Sequence, residues 1–379
     1  MSRGRTAFLL IALAPTILAS HSGRAGTVVA AWAPHAVFVR ADTAFARMVE
    51  RLSEPGGYFD SDNLISNEAS YLHVLGMLRQ VGTRGGAYIG VGPDQNFTYI
   101  AHVRPRIAYI IDIRRDNLLQ HLLFKALFAH ARNRVEYLAL LTGRAAPSDL
   151  ERWDDRSLDA IIAHIDDQQA NEPRQRATAE RLRRTIRSFG IPLAPDDVRT
   201  IERIHRAFFD AGLDLRFTSY GRGPRPYYPS FRQLLLETDR DGRQANYLAD
   251  EASFRFLKSL HEANRIIPVV GDLAGDHALR AIAADIAERG EQLSAFYTSN
   301  VEYYLMADRT FERFLTNVRA LPRDTRSVVI RSYFSRGYPH PQSVPGYYST
   351  QLIETLDAMM RTYDNGGLRT YFDLVNRGG

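Results

Sequence analysis

Two glycines and an aspartate carry the first chemical signal in this chain. Ala87-Tyr-Ile-Gly-Val-Gly-Pro-Asp-Gln-Asn96 reads as an apolar strand, a Gly90-x-Gly92 turn and the start of a short helix. Ile107-Ala-Tyr-Ile-Ile-Asp-Ile113 reads as a second apolar strand with Asp112 near its end. Glycines in such a turn let the backbone bend sharply and approach a ligand closely. An acid about 20 residues further on accepts hydrogen bonds from ribose hydroxyls. The combination points to an adenosine-type cofactor. Gln95 stands where the third glycine of the dinucleotide fingerprint would fall, with Asp94 beside it. A carboxylate there opposes a pyrophosphate resting on the helix start. The site therefore suits a cofactor without phosphates, such as S-adenosylmethionine (SAM), which joins adenine and ribose to a cationic sulfonium.

The elements that must hold these residues follow from the pattern along the chain. Asp42 to Leu52 is a short amphipathic helix, and Ser53 to Asn63 a polar, turn-rich loop. Ser66 is placed to cap a helix running to about Val81, which delivers the chain into the Ala87 strand. Asn117 to Leu141 predicts one long apolar helix, and residues 144–260 a mainly helical insertion whose tip is the Thr218–Pro229 loop. Strands resume at Ile266–Asp272, Gln292–Asn300 and Ser327–Tyr333, separated by helices over Asp276–Arg289 and from Val301 to Met306, with a last helix over Tyr348–Tyr363. Strands alternating with helices predict an α/β fold: a Rossmann-like, mostly parallel sheet with helices on both faces. Residues 42–143 and 261–379 make up that domain, and ligands bind such sheets at the carboxyl ends of the strands.

Composition bounds the class. The chain has 379 residues, 45% of them apolar, which fits an ordinary globular protein. The absence of cysteine excludes disulfides, thiolate metal sites and cysteine nucleophiles. The formal charge of +5 owes three units to Arg3, Arg5 and Arg24 in an acid-free start. The remainder is near neutral and carries no footprint for nucleic acid. Lys125 and Lys258 are the two lysines, so the positive charge is almost all arginine. The basic start and the apolar run Ala7–Ala19 make residues 1–26 read as a signal-peptide-like leader, with small residues at Ser22–Ala25 for cleavage. A start at Met48 is the competing reading. The leader points to export or membrane anchoring, and is the one segment through which membrane association would arise.

The series of strand ends resembles the class I SAM-dependent methyltransferases. In that family the first strand ends in a glycine turn, here Gly90-Val-Gly92. The second ends in a ribose-binding acid, here Asp112. The third commonly ends in Gly-Asp near the adenine, here Gly271-Asp272. The fourth ends in a short polar motif beside the reacting methyl group, here Thr298-Ser-Asn300. The resemblance covers residues 60–140 and 262–340. Tyr88 replaces the acid usual two residues before the first glycine, and the insertion after the second strand is unusually long. The segments Glu54–Asp60, Ser66–Glu68 and Gly90–Phe97 also look like a bacterial family of unknown function.

The resemblance implies SAM as cofactor and methyl transfer to an unknown acceptor. Asn67, Glu68, Gly90, Gly92, Asp94, Asp112 and Asp272 are the expected cofactor-binding residues. Asn300, Glu302 and Tyr303 are the expected catalytic ones, with Tyr333 and His340 also just past strand ends. Such a transfer asks the protein mainly for alignment and a dry site. The Tyr220–Tyr228 loop, with Arg222 and Arg225, is placed to close over an acceptor. Local alternatives compete. Asp112, Asp272 and Asn300 could instead cap the following helices, and Glu68 could serve only as a first-turn acid. Two further function classes stand beside the methyltransferase. One is an exported, non-catalytic protein that keeps the fold; SAM is a cytoplasmic metabolite, so export and SAM use conflict. The other is a metal-dependent nucleotide-sugar transferase using Asp60-Ser-Asp62 or Asp239-Arg-Asp241. No His-Glu-x-x-His, P-loop or Gly-x-Ser-x-Gly motif occurs, and His121 and His130 are expected to be structural.

Overall fold

Runs such as Ile107–Asp112 and Ile266–Val270 are short, apolar and rich in β-branched residues, which favours strands covered on both faces. In the computed structural model, which describes residues 42–221, 225–335 and 338–376, six strands form one sheet. They are β1 (Ala87–Val91), β2 (Ile107–Asp112), β3 (Ile266–Val270), β4 (Leu293–Ser299), β5 (Arg323–Phe334) and β6 (Ser349–Thr355). Their order is β3-β2-β1-β4-β5-β6. β1 to β5 pair in parallel, with Ile89 opposite Tyr109 on one side and Phe296 on the other, and β6 is antiparallel to β5.

The helices, in chain order, begin with α1 (Thr43–Leu52), α2 (Leu75–Val81), α3 (Gln95–Val103), α4 (Arg115–His130) and α5 (Arg134–Thr142). The insertion holds α6 (Leu158–Asp167), α7 (Glu172–Ser188), α8 (Pro195–Ala211), α9 (Phe231–Leu236) and α10 (Glu251–Glu262). The chain ends with α11 (Ala278–Glu288), α12 (Val301–Ala307), α13 (Phe311–Arg319), α14 (Leu356–Asp364) and α15 (Tyr371–Val375). The sheet grows one way from β1 to β3, then returns past β1 to β4 and β5. Right-handed crossovers therefore put helices on both faces, and the strand order reverses between β1 and β4. This is the Rossmann-like α/β architecture expected from the strand and helix pattern.

Three local expectations are corrected. The helix expected over Tyr348–Tyr363 begins as β6 and becomes α14 only at Leu356, where the Thr355 side chain accepts from the Ala358 N–H at 3.2 Å. The spacing of Leu352, Leu356, Met359 and Met360 is helical, but the exposed edge of β5 recruits Ser349–Thr355 as a partner strand. The expected single helix Asn117–Leu141 breaks at Ala131–Asn133, and Asn133 caps α5. Ser66 caps no helix: its hydroxyl accepts from the Glu68 N–H at 3.1 Å, and the chain enters α2 through a 3₁₀ turn at Tyr71–Val74.

The insertion is not a separate body. The described residues belong to one compact unit with an extended apolar core. Arg134, fully buried on α5, ties that core together. Its guanidinium pairs with Glu251 at 3.1 Å and donates to the carbonyls of Leu248, Ala249, Asp154 and Arg156 at 2.7–3.0 Å. The leader, with its Ala7–Ala19 run, and Arg222 lie outside the described residues. Among the described residues no helix is long and apolar enough to cross a membrane.

Candidate functional site

A cavity of about 450 Å³ opens where the strand order reverses. Its wall is built from the carboxyl ends of four strands. β1 supplies Val91 and Gly92, β2 Ile111 to Arg114, β3 Gly271 to Leu273, and β4 Ser299 to Val301. The Tyr58–Glu68 loop closes another side with Asn67 and Glu68, and Tyr58 stands at its mouth, 76% exposed. The volume lies within the range of small-molecule sites, and the location is the one this topology reserves for ligands.

The glycine turn divides the work between its two glycines. Gly92 has φ +83°, and a Cβ there would meet nothing within 4 Å, so its face is open to the cavity. Gly90 does not reach the cavity wall. A Cβ at Gly90 would lie 1.9 Å from Asn96 Oδ1 and 2.7 Å from the Tyr88 hydroxyl, so its glycine makes room for internal packing. Tyr88 donates to Asn96 Oδ1 at 2.9 Å, and Asn96 Nδ2 donates to the carbonyls of Val91 and Pro93, each at 2.8 Å. The tyrosine that displaces the expected acid thus locks the turn from within. His121 supports it from α4, its Nε2 2.9 Å from the Gly92 carbonyl oxygen. Burial holds that imidazole down at about 4, so it is neutral near pH 7 and donates through Nε2–H.

Glu68 is the most enclosed acid of the cavity wall, 1% exposed. Its Oε2 accepts from Gln95 at 3.0 Å, the Tyr297 hydroxyl at 2.6 Å and Gln351 at 2.8 Å, and its Oε1 accepts from the Ser299 hydroxyl. No cation of the described residues pairs with it. Four donors from α3, β4 and β6 therefore converge on one carboxylate, far beyond a first-turn helix acid. Ser299 has φ +53° at the end of β4, a backbone conformation that non-glycine residues adopt at a cost. That strain sits where the strand turns toward Asn300.

Asp112 and Asp272 both line the cavity. Arg114 grips Asp112 with Nε to Oδ1 at 3.0 Å and Nη2 to Oδ2 at 2.8 Å, and extends to the Ser61 and Asp62 carbonyls. Asp272 turns its Oδ1 to the Ala274 N–H at 2.9 Å, while Glu54 caps the start of α11 through the His277 and Ala278 N–H groups. Asn300 precedes α12, but its side chain makes no capping bond and faces the cavity. Among the described residues the ionisable lining is dominated by carboxylates, Asp60, Glu68, Asp112, Asp272 and Asp308, with the paired Arg114 the one basic group. Such a lining attracts cations and repels phosphates.

The other expected site residues lie elsewhere. Asp94 is buried away from the cavity, its Oδ2 accepting from the Tyr247 hydroxyl at 2.9 Å. Glu302 is buried against Arg331 (2.7 Å), which also meets Glu354 (3.0 Å), so its role is structural pairing. Tyr303 and Tyr333 line a separate small pocket. His340 has Nε2 3.0 Å from the Val375 carbonyl oxygen, and its Nδ1 accepts from the Gln342 N–H. Asp239 and Asp241 pair with Arg79 and Arg243, and among the described residues no group of three His, Asp or Glu could hold a metal. The Thr218–Tyr220 end of the long loop is tied to the Asp60–Asp62 segment, and Tyr227 stacks on Tyr348 at 4.0 Å.

Burial pushes the Asp94 carboxyl up to about 7. Between the ordinary aspartate value and that point, the unfolded chain has lost a proton that the native state keeps. Stability therefore falls as pH rises through this window and levels off above it. Asp94→Asn, a mimic of the protonated form, is expected to unfold at the wild-type temperature near about pH 4 and to gain up to about 4 kcal/mol by about pH 8. Thermal melts across that range check this, and parallel curves for the two proteins would refute it.

Residues missed in the sequence include Glu54 and Arg114, whose roles rest on contacts across the fold, and Asn96, which locks its own turn. No curated protein matches the chain. Residues 63–372 match the family model described as "Domain of unknown function (DUF7790)", and the chain belongs to that family.

Proposed function

We propose that the cavity binds SAM and that the protein is a SAM-dependent methyltransferase-like enzyme. The observation that carries this reading is a cavity at the strand-order reversal whose ionisable lining is mainly acidic and whose deepest acid, Glu68, is held by donors alone. A cationic, phosphate-free adenosine cofactor matches that lining, and a dinucleotide does not. The open face of Gly92 leaves room for close approach, Asp112 and Asp272 stand at the ends of β2 and β3, and Asn300 faces the space past β4. Bound SAM would supply an electrophilic methyl group. The chain's own part is to orient the ligand, exclude water and present Asn300 to whatever enters beside it.

One observation favours the competing reading of a fold without a cofactor: Arg114 already occupies both oxygens of Asp112. Thermal denaturation of the full chain with SAM and with S-adenosylhomocysteine separates the two. Ligand at about 100 times its Kd stabilises by roughly 2.7 kcal/mol, and no shift with either compound would sink the methyltransferase reading. Asp112→Asn is the informative variant, because it keeps the side chain's shape and one acceptor oxygen for the Arg114 guanidinium, which alanine would leave with neither. It is expected to fold and to lose most of the shift, and an unchanged shift would remove Asp112 from the site.

A further inference from the structure

Asn300 also lines a second cavity, of about 100 Å³, on the other side of the β4–α12 corner. Apart from Asn300 its wall is aromatic: Tyr303 from α12, Tyr333 and Phe334 from the end of β5, Tyr338, and Tyr371 and Phe372 from α15. The rings pack in edge-to-face and stacked pairs around it. Tyr303 is at 82° to Tyr371 with centroids 5.3 Å apart, Tyr333 lies within 22° of Tyr371, and Tyr338 is at 87° to Phe372. Tyr338 and Phe372 form an open rim, 69% and 49% exposed, and are two of only four large apolar side chains so exposed among the described residues. Large aromatics left in solvent beside a hollow mark a binding surface.

The chemistry of the wall selects the occupant. Among the described residues no charged side chain lines it, and Tyr333 spends its hydroxyl on the Tyr338 carbonyl at 2.6 Å. A head group needing several directional hydrogen bonds would go unsatisfied there. Ring faces attract a cation without directional partners, and methylated ammonium groups are what such aromatic walls hold best. The carboxylate-lined cavity across Asn300 adds a field of the right sign. By volume the pocket takes about three waters, or one compact head group.

We propose that this aromatic pocket binds a small methylammonium-type head group. That its owner is the methyl acceptor rests on the SAM reading above; the preference for ammonium does not.

Calorimetric titration of the full chain with choline and with its uncharged isostere 3,3-dimethylbutan-1-ol tests this. Choline is expected to bind at least about tenfold more tightly. Tyr303→Leu and Phe372→Ala are expected to abolish that preference. Phe372 is half-exposed, so its variant tests the pocket even if Tyr303→Leu misfolds. Equal affinity for the two compounds, no choline binding, or choline binding unchanged in the folded variants would overturn the proposal. The SAM melts keep the two ideas apart. A SAM shift without choline binding removes only the ammonium site. Choline binding without a SAM shift leaves the pocket and removes the acceptor assignment.

Discussion

Arg331→Met is expected to lower the unfolding free energy by about 3–5 kcal/mol, read by urea denaturation. Arg331 and Glu302 are each about 1% exposed, and the arginine meets Glu302 through Nε and Nη2 and Glu354 through Nη1. Removing the cation leaves a carboxylate buried without a partner, a larger loss than the net worth of the pair. The double variant Glu302→Leu/Arg331→Met removes both members of the fully buried pair, leaving only the partly exposed Glu354 without its arginine, and is expected to recover part of the loss, so the two changes will be non-additive. Additive losses would mean that the two side chains do not act as a unit. The functional consequence is equally specific. Glu302 sits two residues past Asn300 but turns into the protein, so Glu302→Gln should retain any SAM-induced thermal shift. Loss of that shift in a folded Glu302→Gln protein would return Glu302 to the reaction.

Glu302 also marks where sequence reading runs out. Its position after a strand end is shared by Asn300, and local pattern alone cannot separate the one facing the cavity from the one facing Arg331, 29 residues away. A charge inside the apolar run Val328-Val-Ile-Arg-Ser-Tyr-Phe334 was the available signal, since a buried arginine demands a buried acid. The strand ends themselves were legible. Gly92, Asp112, Asp272 and Asn300 all reach the cavity, because short apolar runs identify parallel strands and the topology gathers their carboxyl ends. Gly90 and Asp94 are the reverse case. Gly90 matches the fingerprint, but it makes room for the Tyr88–Asn96 contact inside its own turn, and Asp94 accepts from Tyr247, which only the folded chain brings near. The β6 strand was hidden because its helical apolar spacing is overridden by pairing with β5, a tertiary effect.

Glu68→Gln should weaken SAM binding about 10- to 100-fold while costing stability only about 1–2 kcal/mol. The asymmetry follows from the hydrogen bonds. Three donors meet Oε2, but Oε1 carries only the Ser299 hydroxyl, leaving it free to receive one more donor or to face a cation. A glutamine keeps the shape, and the Tyr297 and Ser299 hydroxyls and the Gln95 and Gln351 amides can reorient around it, so the fold loses little more than one hydrogen bond. A cationic ligand loses a charge-assisted contact worth about 1.5–3 kcal/mol, which sets the expected range in Kd. Comparing SAM with S-adenosylhomocysteine locates the interaction, because only SAM carries the sulfonium charge. A larger loss for SAM places Glu68 toward the sulfonium. Equal losses place it toward the amino group that both share. If neither affinity moves by more than about twofold, the donor-held carboxylate is a structural knot joining α3, β4 and β6, and the charge argument for a cationic cofactor fails with it.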